Sequence, residues 1–72
     1  MCGIIGIASN KKVSTNIVNA LKKLEYRGYD SAGLATIANG EINEKKCSGR
    51  VEKLEKILFQ SPNEGNLGIG HV

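Results

Sequence analysis

The run Gly3-Ile4-Ile5-Gly6-Ile7-Ala8, directly behind Met1-Cys2, constrains this chain more than any other stretch. It is short, uncharged, rich in β-branched isoleucine and bounded by Ser9-Asn10, so it predicts a buried β-strand. A strand that begins at the third residue holds whatever precedes it on a rigid element at the edge of a core. What precedes it is Cys2, whose small side chain methionine-removing aminopeptidases accept, so the mature chain is expected to start there. One residue would then carry a thiol and a free α-amine. The amine titrates near about 7.7 to 8.0 and the thiol near about 8.5, so the amine can act as the base for its own nucleophile. A cysteine in second place also reads as a small buried apolar residue at a frayed terminus. Position alone does not choose between the two.

The chain has 72 residues, enough for at most one small domain, and no apolar run approaches the roughly 20 residues of a membrane helix. It has no export signal, and its two cysteines make no disulfide framework, so a cytoplasmic location and no membrane partner are expected. The net charge is +3, with the lysine pairs Lys11-Lys12, Lys22-Lys23 and Lys45-Lys46 spread along the chain. Only Tyr26, Tyr29 and Phe59 supply aromatics, in no stacking pattern, so these pairs read as solvated faces and no nucleic-acid partner is expected. His71, Cys2 and Cys47 lack metal-ligand spacing; no metal and no cofactor are expected.

Helical spacing joins Val13, Ile17, Ala20, Leu21 and Leu24, with Ser14 or Thr15 as N-cap, Lys22 and Lys23 near the C-terminal end and Gly28 at or just past the stop. A strand is predicted over Ser31 to Ala38, a hairpin turn at Asn39-Gly40 and a returning strand from about Glu41 to Cys47, where Cys47 is a small apolar strand residue. The many small residues predict a sheet approached closely by other layers. A second helix follows from about Val51 to Gln60, with Val51, Leu54, Ile57 and Leu58 on one face and Glu52 able to pair with Lys56. The turn-forming segment Ser61 to Asn66 leads into a strand over Leu67 to Val72. Both helices are expected to bury a face against a sheet begun by Ile4, Ile5 and Ile7. A chain that stops inside a strand is expected to be part of something larger, with that strand left open for completion.

The segment Tyr26-Arg27-Gly28-Tyr29-Asp30-Ser31-Ala32-Gly33 is too irregular for packing periodicity and sets charged and hydrogen-bonding groups in a turn between helix and strand. Taken with Met1-Cys2-Gly3-Ile4-Ile5-Gly6, Leu24-Glu25 and Gly68-Ile69-Gly70-His71, it resembles the glutaminase domain of the glutamine:fructose-6-phosphate aminotransferase family, the class II amidotransferases that make glucosamine 6-phosphate. The resemblance covers essentially the whole chain. It implies an α+β fold, part of the four-layer αββα arrangement of N-terminal nucleophile hydrolases, with residues 1 to 72 as the N-terminal portion of the domain. It further implies that Cys2 is the nucleophile and, through its α-amine, the base, that Arg27 and Gly28 lie beside it, and that glutamine is the substrate. Where the family continues after the glycine-histidine step with threonine, arginine and tryptophan, this chain has Val72. The arginine that grips the substrate carboxylate, the asparagine and glycine of the oxyanion hole, the aspartate that holds the substrate amine and the sugar-isomerase domain are not among these residues. Two other readings stand beside it: a non-catalytic piece that docks on a separately encoded remainder, and a small thiol protein using Cys2 and Cys47.

Mass spectrometry of the chain expressed in cells with methionine aminopeptidase should show Cys2 as its first residue. Full retention of Met1 would remove the proposed base.

Overall fold

A computed structural model describes residues 3–28 and 30–72, with Arg27 described by its backbone alone. The elements are β1 (Ile4–Ala8), α1 (Ser14–Leu24), a 3-10 turn (Glu25–Arg27), β2 (Ser31–Ala38), β3 (Glu41–Ser48), α2 (Val51–Gln60) and β4 (Leu67–His71). The class is α+β: two helices on one face of a four-stranded antiparallel sheet. Helix layer and sheet are two of the four layers that the family resemblance implies. The strands, both helices and the hairpin at Asn39-Gly40 lie where periodicity puts them. Asn39 and Gly40 both have positive φ, 53° and 78°, as a two-residue hairpin requires.

Strand order is β1-β4-β2-β3. This corrects the expectation that Leu67 to Val72 is the open strand: β4 is central, pairing Ile5 with Gly70 on one side and Leu34 with the same Gly70 on the other. The free edges belong to β1 and β3. Two glycines fit β4 for that place. A Cβ on Gly70 would collide with Ile17 Cγ2, and one on Gly68 would come within 2.9 Å of Ile17 Cδ1 and of the Ala35 carbonyl oxygen. With no side chains there, α1 lies directly on the middle of the sheet.

The core forms between the layers, from Val13, Ile17, Val18 and Leu21 of the first helix and its approach, Val51, Leu54 and Leu58 of the second, and Ala32 and Leu34 of β2. Ile5 and Ile7 pack against it at half-burial, as does Cys47 from β3. Ile4 does not. It is 78% exposed, because strand alternation sends Ile4, Gly6 and Ala8 to the face opposite the helices. The expectation of a buried first strand, with Ile4 under the helices, is therefore wrong on one face.

The helix starts also differ from expectation. The N-cap of α1 is Val13, with no side-chain cap, rather than Ser14 or Thr15. Val13 is fully buried, and its N–H donates to the Gly65 carbonyl at 3.1 Å, so tertiary packing fixes the helix start. Helix α2 is capped from a distance: the Val51 N–H donates to Glu25 Oε2 at 2.8 Å. The ion pair seen on α2 is Lys22 with Glu55, 2.7 Å apart and joining the helices, where the sequence pointed to Glu52 with Lys56. Within the 61–66 turn, Asn63 is buried and donates to the Asn43 carbonyl at 3.0 Å and to Thr36 Oγ1 at 3.2 Å, while accepting from Lys45 Nζ. Thr36 Oγ1 donates in turn to the Glu64 carbonyl at 2.7 Å. These bonds pin the turn to the sheet, and with it the entry to β4.

Leu21→Ala or Leu54→Ala removes a fully buried side chain between the layers and should cost about 2 to 5 kcal/mol, measured by urea unfolding. Variants as stable as the parent would refute this packing.

Candidate functional site

Cys2 lies outside the described residues, so the site is built from what surrounds its neighbour Gly3. Gly3 and Val72 exchange both backbone hydrogen bonds, at 3.3 and 3.0 Å, which continues the β1–β4 ladder past its last strand residue. A Cβ on Gly3 would sit 2.9 Å from Leu24 Cδ1 and 3.4 Å from Val72 Cγ2. Gly3 thus lies against the last residue of α1 on one side and the end of β4 on the other. Leu24 leads straight into the 3-10 turn that carries Arg27. Gly28 closes that turn: its N–H donates to the Glu25 carbonyl at 2.9 Å and its φ is 113°, a value that strains any residue with a side chain.

Residues far apart in sequence therefore meet at one end of the sheet: Gly3, Leu24 at the entry to the 3-10 turn, and Val72 behind His71. Of the predicted site residues, Gly28 is described in full, the backbone of Arg27 belongs to the same turn, and the Arg27 side chain, like Cys2, lies outside the described residues. His71 completes the cluster on the open face of the sheet. It pairs with Ile4 on one side and Gly33 on the other, and a Cβ on Gly33 would lie 2.7 Å from its Nε2. The glycine leaves the imidazole its room.

Much of the central motif does structural work that its residue types do not announce. Leu24 seats Gly3. Glu25, with only 12% of its side chain exposed, caps α2 and lies 3.6 Å from Arg50 Nη2. The Asp30 carbonyl accepts from the Gly49 N–H at 2.8 Å, and Ala32 enters the core. Sequence reasoning missed Glu25 because its partner is 26 residues away. Among the described residues, no group of three or more His, Cys, Asp and Glu side chains could hold a metal ion. Cys47 is a free, half-buried thiol whose Sγ lies 3.9 Å from the Arg50 carbonyl oxygen, and β2 and β4 separate its strand from β1. Glu25→Ala should lower the unfolding free energy by about 0.5 to 2 kcal/mol through loss of the cap, and Glu25→Gln, which keeps an acceptor, by less; paired urea titrations would check the order.

No family model matches the chain. Individual relatives do. It is 54% identical over all of its 72 residues to glutamine–fructose-6-phosphate aminotransferase (isomerizing) of Clostridium acetobutylicum, and equally to that of Brucella abortus. The Mesorhizobium japonicum enzyme of the same name is 52% identical over the same length. In each case the chain spans 12% of the relative's length. Matched from its first residue to its last at about half identity, the chain corresponds to a segment of glutamine–fructose-6-phosphate aminotransferase.

Proposed function

We propose that this chain is the nucleophile-bearing part of a glutaminase site, in which Cys2, freed of Met1, attacks the side-chain amide of glutamine. The observation that supports it best is the meeting of Gly3 with Leu24, which leads into the turn of Arg27 and Gly28, and with Val72 at one end of the sheet. The α-amine of Cys2 takes the thiol proton as sulfur bonds to the amide carbon. The same proton passes to the departing nitrogen as the carbon–nitrogen bond breaks, which gives ammonia and a γ-glutamyl thioester. Water then cleaves the thioester to glutamate and restores the thiol. Arg27 and Gly28, at the end of α1, orient the terminal residue and its substrate. In the whole enzyme the ammonia serves the amination of fructose 6-phosphate by the parts beyond this segment, and the reaction belongs to the cytoplasm. No helix of the described residues is long and apolar enough to cross a membrane.

A nucleophile with a base supplies only part of the barrier reduction. Loss of a single oxyanion-hole donor typically costs about 10² to 10³ in rate, and loss of the groups that clamp the substrate removes its orientation as well. The 72 residues contain neither the oxyanion donors nor the carboxylate-binding arginine that the family resemblance implies. The remainder of the glutaminase domain would supply both, by covering the open sheet face and the free edge of β1.

Residues 1 to 72 alone should therefore release no measurable ammonia from glutamine. Addition of a polypeptide with the rest of the domain should restore release, and Cys2→Ala should abolish it. Ammonia from the isolated chain that disappears in Cys2→Ala would overturn the division of labour proposed here.

A further inference from the structure

The register of the four strands lays out the uncovered sheet face residue by residue. One row across it is Ala8, Leu67, Ile37 and Ile42; the next is Gly6, Ile69, Ala35 and Glu44; the last is Ile4, His71, Gly33 and Lys46. Its large apolar members are open to solvent, with Ile42 71% and Ile69 59% exposed. A hollow lies between them, lined by Ala35, Ile37, Ile42, Leu67, Gly68 and Ile69. Among the described residues the three rows carry only Lys46 and Glu44 of the acidic and basic side chains, and their charged groups lie 3.7 Å apart.

We propose that in the isolated chain this face is covered by a second copy, sheet against sheet, so that two chains build the sequence of layers helix, sheet, sheet, helix. Surface area supports this. A monomer of 7.7 kDa is expected to expose about 4,300 Å². This chain exposes 4781 Å², a surplus of roughly 450 Å². The face accounts for it in size: four strands at about 4.8 Å spacing and five residues at about 3.3 Å give a footprint of about 320 Å² before side-chain relief is counted. Two such faces remove on the order of 1,000 Å² from water, the lower bound of a specific interface, so the dimer is reversible. Facing sheets pack about 10 Å apart, a distance that isoleucine and leucine from both sides fill. A copy brings Lys46 and Glu44 to the corner together rather than one sign alone.

Sedimentation equilibrium of the 72-residue chain, from about 1 μM to about 1 mM, covers the range of weak association. The apparent mass should rise from 7.7 kDa toward twice that value. Ile69→Lys at the centre of the face and Ile42→Lys near its edge should each raise the dissociation constant at least about tenfold. Phe59→Lys should leave it unchanged, since Phe59, 89% exposed, lies on α2 away from this face. Far-UV circular dichroism checks that each variant folds; if Ile69→Lys does not, Ile42→Lys decides. A chain that stays monomeric throughout, including one that binds the rest of the glutaminase domain, overturns the proposal and leaves the glutaminase reading intact. A dimer that survives both face variants, or that is lost in Phe59→Lys, overturns it as well.

Discussion

The contact on which the rest of the structure depends is Ile17 of α1 against the two glycines of β4. Gly68 and Gly70 have no side chains on the helix-facing side, and Ile17 fills that space. The contact sets the depth at which α1 sits, so Leu21 reaches the sheet one turn later and Leu24 arrives against Gly3 at the sheet's end. A single methyl on Gly70 would push the helix outward, and the site end would move with it. The glycines that look like local weakness in a strand thus allow layer and sheet to come together.

How much of this was legible depends on the range of the interaction. Elements marked by periodicity or turn chemistry, such as the Val51 helix and the Asn39-Gly40 hairpin, were placed well because their signals are local. The first strand was misread on one face. Ile4, Ile5 and Ile7 make an apolar run because both faces are composed for contact, yet within these residues only the Ile5 and Ile7 side has helices on it. Strand order was not legible either. That β4 lies between β1 and β2 follows from pairing across the whole chain, and no local pattern encodes it.

The same division runs through the site. The motif marked where the chain turns, and Gly28 at positive φ is the reason for one of its glycines. The meeting of that turn with Gly3 rests on Leu24, an ordinary member of an amphipathic stripe. The carboxylate of Glu25 looked as available for chemistry as that of Asp30, but it caps a helix, which only the folded arrangement reveals. Residue type and spacing marked this segment without showing which of its groups build the turn.

The pairing of β1 with β4 bears on the order of events during synthesis. β1 is made first, but among the described residues its only strand partner begins at Leu67. Until the ribosome has released β4, the first strand has nothing to pair with, and closing so long a loop is slow compared with forming α1 or the β2–β3 hairpin. Gly3 therefore stays outside its ladder until the residues up to β4 have been made, an interval in which an aminopeptidase could act on Met1. The late arrival of one strand would leave time for Cys2, the nucleophile proposed above, to be uncovered.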